Sequence, residues 1–270
     1  MVVRTEIHGP VTTIIHDRPE ARNAMDPDSA DALVDAFQAF DADPEASLAV
    51  LCGSSGAFCA GWDLKYASSL AESSRLNAML DQLAIPDEGE MPRGPLGPTR
   101  LALAKPVMAA VEGPAVAGGM ELALWCDIRV MAQSAYFGVY CRRWGIPLLD
   151  GGTVRLPRLA GLGRAMEITL TGRKVPAEEC ERIGLCEKVV PTGHVRAAAE
   201  ALAHEIARFP QECVRADRRS LYLQHGQSVR EGLRREWYNG IGVLSQEGVS
   251  GAGRFSGGKG RHGDFEDIGQ

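Results

Sequence analysis

Glu121 is the residue whose surroundings most directly raise a chemical question. It lies in the first turn of a predicted helix in which the neighbouring positions, 120 and 122–125, are all apolar. Burying a carboxylate among such residues is unfavourable unless the group is paired or takes part in a reaction. Glutamate is also a common capping residue at the start of a helix. The pattern alone therefore leaves two interpretations open, an acid–base group and a helix cap.

Two turns rich in small residues are candidates for supplying backbone donors to the same site. The first covers residues 57–64 after a predicted strand, and the second covers residues 113–119 and leads into the helix of Glu121. Backbone N–H groups at such turns lack partners and favour negative charge. A P-loop would need Lys after Gly118, and a dinucleotide fingerprint would need GxGxxG, so neither is present. The alternative is that the glycines only permit close packing of a helix on a strand.

The composition narrows the class of ligand. A net charge of −6 without runs of Lys or Arg argues against nucleic-acid or anionic-membrane binding and leaves a small molecule. No apolar stretch approaches the roughly 20 residues of a spanning helix, and the N-terminus shows no signal peptide. The seven cysteines form no CxxC pair, and the six histidines form no HExxH motif. We therefore expect a cytoplasmic protein with reduced thiols and no metal.

Alternating strand and helix patterns predict the elements that must position these groups. β-Branched or apolar runs predict strands at residues 11–15, 47–52, 106–111 and 128–132. Asp26 followed by Pro27 predicts the start of a helix. Residues 66–100, rich in Ser, Asn, Pro and Gly, are expected to form a mobile loop or lid over a site.

The last part of the chain is predicted to be entirely helical. Helical patterns occupy residues 194–209, 211–224 and 228–247, with apolar residues such as Leu221 and Trp237 expected on their surface. Helices with exposed apolar residues need a surface to pack against, which is either the main body of the protein or another subunit. We therefore expect an α/β core of residues 1–193, a helical oligomerisation region of residues 194–248 and a flexible tail of residues 249–270.

Several segments, in order, resemble the signature segments of the enoyl-CoA hydratase/isomerase (crotonase) superfamily. They are RPEARNAM (18–25), FCAGWDLK (58–65), KPV (105–107), GPAVAGGMELALWCDIRV (113–130), AYFG (135–138), LTGR (170–173) and EECERIGL (178–185) followed by VV (189–190). The resemblance implies a spiral of ββα units whose C-terminal helices pack trimers or dimers of trimers. It also implies an acyl-CoA substrate and no separate cofactor, since coenzyme A is part of the substrate.

The resemblance assigns roles within the two turns. It implies that the backbone N–H groups of Ala60 and Gly118 form an oxyanion hole for a thioester carbonyl, where they stabilise an enolate more than the neutral carbonyl. It makes Glu121 one of the two catalytic glutamates of the hydratases. Cys141 stands where the second glutamate is expected, which departs from the family pattern. A nucleophilic role for Cys141 is disfavoured because no His lies nearby in the sequence.

Asp150 is the candidate for replacing the missing glutamate. It precedes a Gly-Gly turn, and other members of the superfamily take a catalytic aspartate from about this turn. The alternative is a structural role, either capping the helix that begins near Thr153 or pairing with Arg142, Arg143 or Arg155.

The phosphates of coenzyme A require cations near the rim of the site. By family position Arg22 is the first candidate and Lys65 the second, although Lys65 also fits a solvated surface charge. Further residues predicted to bind the substrate or CoA are Gly61, Trp62, Asp63, Leu64, Cys141 and Trp144. The predicted reaction is hydration of a 2-enoyl-CoA through a thioester enolate. The alternatives are an isomerase or hydrolase of the same superfamily, or a non-catalytic acyl-CoA binder.

Overall fold

The computed structural model describes residues 2–260 as a mixed α/β protein. The strands are β1 (Val3–His8), β2 (Val11–His16), β3 (Leu48–Gly53), β4 (Val107–Val111), β5 (Pro114–Val116), β6 (Ile128–Ala132), β7 (Tyr136–Gly138), β8 (Val175–Pro176) and β9 (Lys188–Val190). The helices are α1 (Pro27–Ala42), α2 (Leu64–Ser69), α3 (Ser73–Leu83), α4 (Gly118–Trp125), α5 (Gly152–Ala160), α6 (Leu162–Thr171), α7 (Ala177–Arg182), α8 (Val195–Ala207), α9 (Gln211–Leu223), α10 (Val229–Val243) and α11 (Val249–Ser256).

A six-stranded sheet in the order β1-β2-β3-β4-β6-β9 forms the centre of the molecule. Only the β1–β2 pair is antiparallel; the other neighbouring pairs within this sheet are parallel. Every residue of β2 and β4 is buried, as expected for parallel strands covered on both faces. The four strands predicted from apolar and β-branched runs are therefore confirmed, with boundaries shifted by one residue at most.

A second sheet, in the order β5-β7-β8, holds the turn that leads into α4. Strand β5 pairs in parallel with β7, and the N–H of Ala117 then donates to the carbonyl of Gly138 at 2.7 Å. Two isolated bridges, Met25 with Trp62 and Cys59 with Ala115, connect the first turn to its surroundings. The turn that leads into α4 is thus held by contacts with two separate parts of the chain, β7 and the segment of Cys59.

The segment of residues 66–100 differs from its prediction as a loop. Helices α2 and α3 occupy much of it, and the irregular parts are residues 70–72 and residues 84–97, before a 3-10 turn at Pro98–Arg100. Asp63 caps α2, because its carboxylate accepts hydrogen bonds from the N–H groups of Lys65 at 2.8 Å and Tyr66 at 3.3 Å. The cap predicted at Asp26 is likewise confirmed by a bond from the Ser29 N–H at 2.9 Å.

The C-terminal helices α8 to α11 extend further than predicted. A π-helical turn at Leu244–Gly248 joins α10 to α11, so the chain stays helical to Ser256 and the boundary predicted at residue 248 is too early. Residues 261–270 of the predicted tail lie outside the described residues. Helix α9 is anchored by Arg218 and Tyr222, which bond the Asp127 carboxylate at 2.9 and 2.7 Å. None of the helices within residues 2–260 is long and apolar enough to cross a membrane.

His16, at the end of β2, is a buried polar side chain whose two ring nitrogens have no partner within the described structure. Burial, with a smaller contribution from the charge of Arg18, lowers the pKa of His16 from 6.5 to about 4. The imidazole is therefore neutral in the folded protein at neutral pH.

We expect His16 to make the protein sensitive to acid. Between pH 6.5 and 4 the unfolded chain binds a proton that the folded protein does not, so stability is lost as the pH falls, by up to about 3 kcal/mol. Urea unfolding at pH 7.5 and pH 5 checks this, with His16→Leu as the comparison. The variant should lose less stability than the wild type; equal losses would show that His16 is not the sensor.

Candidate active site

The two glycine turns pack directly against each other. The N–H of Val116 donates to the carbonyl of Cys59 at 3.0 Å. A Cβ atom on Gly119 would lie 2.0 Å from the same carbonyl oxygen, and one on Gly61 would lie 3.0 Å from the Gly118 nitrogen. Gly61 also has a φ of +88°, which favours glycine. The glycines thus permit the close packing considered from the sequence, and this packing brings the two turns into one site.

Two backbone N–H groups at this junction remain free to bind a ligand. The chain on either side of Trp62 pairs with Met25, because Met25 N–H donates to Gly61 and Asp63 N–H donates to Met25, at 2.7 and 2.8 Å. The N–H of Trp62 itself has no acceptor among the described residues, and neither has that of Gly118 in the first turn of α4. Both residues line the same cavity.

Ala60 does not supply the donor that was predicted for it. Its N–H donates to the carbonyl of Arg22 at 3.2 Å, so this group is already engaged. The prediction of Ala60 as an oxyanion-hole donor is therefore wrong, and Trp62 provides the free N–H two residues further on. Ala60 still lines the cavity.

The cavity beside these N–H groups has a volume of about 80 Å³. Its walls bring together most of the residues predicted for the site, namely Ala60, Trp62, Leu64, Gly118, Glu121, Cys141, Trp144 and Asp150. The other residues in its walls are Pro95, Leu96, Ala117, Tyr140, Ile146, Pro147 and Leu149. Trp144 is 65% exposed and stands at the mouth, so it is not a core residue. Leu96 and Tyr140 were missed from the sequence.

Glu121 is buried in this cavity with one carboxylate oxygen held in place. Its Oε1 accepts hydrogen bonds from the N–H groups of Asp150 and Gly152, at 2.9 and 2.8 Å. Burial first, and then the negative charge of Asp150, raise the pKa of Glu121 to about 7. A carboxyl group in this state exchanges a proton near neutral pH, which is the property of a general acid or base. Helix α4 has no side-chain cap hydrogen bond, so Glu121 does not cap it.

Asp150 lies in the same cavity and is also buried. Its Oδ1 accepts hydrogen bonds from the N–H of Leu96 at 3.0 Å and from the hydroxyl of Thr99 at 2.5 Å. Burial raises the pKa of Asp150, while these two donors act against the rise. The position preceding α5 is occupied by Gly151, so Asp150 is not the cap of that helix.

The arginines considered as partners of Asp150 do not pair with its carboxylate. Arg155 donates to the backbone carbonyls of Asp150 and Thr99, at 2.8 and 2.7 Å. Arg142 donates to the carbonyl of Thr169, and Arg143 lies over the Tyr140 ring. Both structural roles considered for Asp150, the helix cap and the arginine pair, are therefore wrong, and its carboxylate is held by Leu96 and Thr99 instead.

Cys141 occupies the wall of the cavity near Glu121. Burial, reinforced by the negative charge of Glu121, raises the pKa of the Cys141 thiol. A thiol in that state is a poor nucleophile. This agrees with the choice of a carboxyl group, rather than Cys141, as the reactive residue.

The predicted CoA-binding residues lie around the first turn. Arg22 adopts a left-handed conformation with φ of 52°, and Lys65 is exposed in the first turn of α2. Asp63 is engaged by the α2 cap and by Arg18, at 3.1 Å, so its carboxylate is structural. Arg22 and Lys65 remain predicted CoA contacts. Among residues 2–260, no group of three or more His, Cys, Asp or Glu side chains is arranged to hold a metal ion.

Two N–H groups without acceptors and a buried carboxyl in one cavity, on a sheet-based scaffold, are features typical of an enzyme active site. The family model described as enoyl-CoA hydratase/isomerase matches residues 6–236. This protein therefore belongs to the enoyl-CoA hydratase/isomerase family, the crotonase superfamily.

Individual members of this family are similar to the chain over most of its length. The chain is 33% identical over 259 residues to an enoyl-CoA hydratase of Mycobacterium tuberculosis, covering 93% of this chain and 92% of the relative. It is 35% identical over 245 residues to carnitinyl-CoA dehydratase of Salmonella typhi, covering 88% and 85%. The crystal structure of an enoyl-CoA hydratase from Mycobacterium marinum has 32% identity and a TM-score of 0.84, with 95% of this chain and 96% of that chain covered. The predicted fold is confirmed.

Proposed function

We propose that this protein adds water across the double bond of a 2-enoyl-CoA thioester, or removes it in the reverse direction. The observation that carries the proposal is the buried Glu121–Asp150 pair beside two free backbone N–H groups. Hydration requires a base to activate water for attack at C3 and an acid to protonate C2. The names of the relatives, which include hydratases and a dehydratase, support the same reaction class.

The N–H groups of Trp62 and Gly118 are the proposed oxyanion hole. Attack at C3 moves negative charge onto the thioester oxygen, which two fixed donors stabilise more strongly than they stabilise the neutral carbonyl. Removal of one such donor typically slows a reaction by about 10²–10³-fold. The dipole of α4 favours the same charge, because Gly118 lies in its first turn.

The pair can divide the two proton-transfer roles. Burial, and after it the charge of Asp150, raises the pKa of Glu121 to about 7, while the hydrogen bonds from Leu96 and Thr99 favour the ionised form of Asp150. We assign the Asp150 carboxylate to the activation of water and the protonated Glu121 to the protonation of C2.

The substrate's CoA portion is proposed to contact Arg22 and Lys65. Trimers or dimers of trimers are proposed from the C-terminal helices, where large apolar side chains are exposed. These include Leu221, Leu233, Trp237, Tyr238 and Leu244, all more than half exposed. Exposed large apolar side chains in this number are typical of a surface that another subunit covers.

An isomerase of the same family is the second candidate function. It is favoured by Cys141, because a thiol at this position leaves the cavity without the second glutamate expected from the family resemblance. Shifting a double bond requires proton removal and return but no activated water. Assays for hydration, isomerisation and hydrolysis on one panel of acyl-CoA thioesters separate these functions, and binding without turnover would indicate a carrier.

Asp150→Asn is expected to lower kcat for hydration of crotonyl-CoA by about 10²-fold or more. Asparagine keeps an oxygen that can accept from Leu96 and Thr99 but cannot take a proton from water. Loss of the absorbance of the conjugated thioester measures the rate, and thermal unfolding measures stability. A large fall in Tm with a small change in kcat would assign Asp150 a structural role instead.

A further inference from the structure

A second and larger cavity, of about 300 Å³, adjoins the reaction cavity. The two cavities share Trp62 and Pro95 in their walls. Trp62 lines both cavities, and its ring contacts that of Tyr66 edge-on, with the ring centroids 6.0 Å apart, in the wall of the second cavity. The two cavities therefore meet at Trp62 and Pro95.

The lining of the second cavity is apolar along α3 but carries two arginines. Met79 and Leu83 contribute apolar surface, while Arg75, Arg93 and Gln82 contribute polar groups. None of its lining residues within the described structure is an Asp or Glu. The cavity is therefore suited to an extended apolar chain that ends in a negatively charged group.

The two arginines differ in how far they are already neutralised. Arg93, with a side chain that is 16% exposed, pairs with the carboxylate of Asp31 and donates to the carbonyl of Gly94 at 3.0 Å. Arg75 donates only to the carbonyl of Ser69, at 3.1 Å, and forms no ion pair with any described residue. Arg75 thus retains an uncompensated charge at the rim, and a carboxylate is the group that best matches a guanidinium.

We propose that this cavity binds the far end of the acyl chain and that this end carries a carboxylate, so the substrates are CoA thioesters of dicarboxylic acids. The inference rests on the proposed function only in placing the thioester group beside the N–H groups of Trp62 and Gly118. The distal carboxylate contacts Arg75, and Arg93 and Gln82 lie on the same cavity wall. A neutral chain of equal length fills the apolar part of the cavity but leaves Arg75 without a partner.

Binding of saturated thioesters tests the proposal without requiring turnover. Calorimetry would compare adipoyl-CoA with hexanoyl-CoA and suberoyl-CoA with octanoyl-CoA. We expect the dicarboxylic thioester to bind about tenfold more tightly in at least one pair, the size of one charge-assisted contact. Arg75→Gln should abolish the preference for the dicarboxylic thioester, and Arg75→Lys should keep part of it. The control variant is Arg158→Gln, on the exposed surface of α5 outside both cavities, and it should leave the preference unchanged.

Two results would overturn the proposal. The first is that the dicarboxylic thioester binds no more tightly than the monocarboxylic thioester at either chain length, which would exclude a carboxylate site. The second is that Arg75→Gln weakens the binding of all four thioesters equally, which would assign Arg75 to the CoA phosphates. Failure of the proposed hydratase function would look different from failure of this inference. The dicarboxylic thioesters would still bind more tightly, but the corresponding 2-enoyl thioesters would not be hydrated.

Discussion

Glu121→Gln is expected to lower kcat for hydration by roughly 10³-fold and, at the same time, to raise the stability of the protein. Glutamine retains an oxygen for the N–H groups of Asp150 and Gly152 but has no proton to exchange. Because the pKa of Glu121 is raised from 4.5 to about 7, the folded state favours the protonated carboxyl and is destabilised as the pH rises through this interval. At pH 8 the gain in the variant should reach about 3 kcal/mol.

Chemical unfolding and steady-state kinetics at pH 5 and pH 8 measure both effects. The stability gain of Glu121→Gln should be small at pH 5 and large at pH 8, since the Glu121 carboxyl group of the folded wild-type protein is mostly protonated at pH 5. Glu178→Gln, an exposed residue of α7, is the matched control and should change neither quantity. A variant that loses activity but also loses stability at both pH values would show that the Glu121 carboxylate supports the fold.

The pH dependence of kcat/KM distinguishes the two possible roles of Glu121. If Glu121 is the acid that protonates C2, kcat/KM in the hydration direction should fall about tenfold per pH unit above pH 7. A rate that rises through pH 7 would instead make Glu121 the base.

Gly119→Ala is expected to have the second-largest effect, because the two turns leave no room for a side chain there. The new Cβ would lie 2.0 Å from the backbone oxygen of Cys59, so the turns must separate. We expect a loss of about 3 kcal/mol of stability or more. The displacement also moves the N–H groups of Gly118 and Trp62, and a shift of about 1 Å at a catalytic group can slow a reaction about 10²-fold.

Gly163→Ala provides the control for this substitution. Gly163 lies within α6, and a Cβ there meets no atom within 4 Å, so alanine should be neutral or stabilise by up to about 1 kcal/mol. Thermal unfolding and crotonyl-CoA turnover of both variants measure the contrast. Wild-type stability and turnover in Gly119→Ala would contradict the close packing of the turns.

The strands and caps could be predicted because their signals are local. Runs of β-branched and apolar residues determined β2, β3, β4 and β6, and the Asp26 and Asp63 side chains cap the helices that follow them. Helix α3 also had a local signal, since Leu76, Met79, Leu80 and Leu83 follow helical spacing. It was missed because the Pro and Gly residues of the following stretch dominated the composition of residues 66–100.

The oxyanion donors could be assigned only in part, because their partners are distant in the sequence. Whether Ala60 or Trp62 offers a free N–H depends on hydrogen bonds to Arg22 and Met25, which no local pattern of the turn reveals. The contacts of Asp150 with Leu96 and Thr99 are likewise non-local, and those residues lie in a segment with little pattern. Glu121 was identifiable because its apolar neighbours belong to its own helix.

The pairing of Met25 with Trp62 has a consequence for how the protein acquires activity. The segment that includes Met25 lies before α1, whereas both turns, Glu121 and Asp150 lie after it. A fragment that starts at α1 would contain every proposed reacting group but would lack the strand-like partner that orients the Trp62 amide. Closing such a contact between distant segments is slow relative to forming local structure. We therefore expect activity to appear late in refolding, after most of the helical signal has returned.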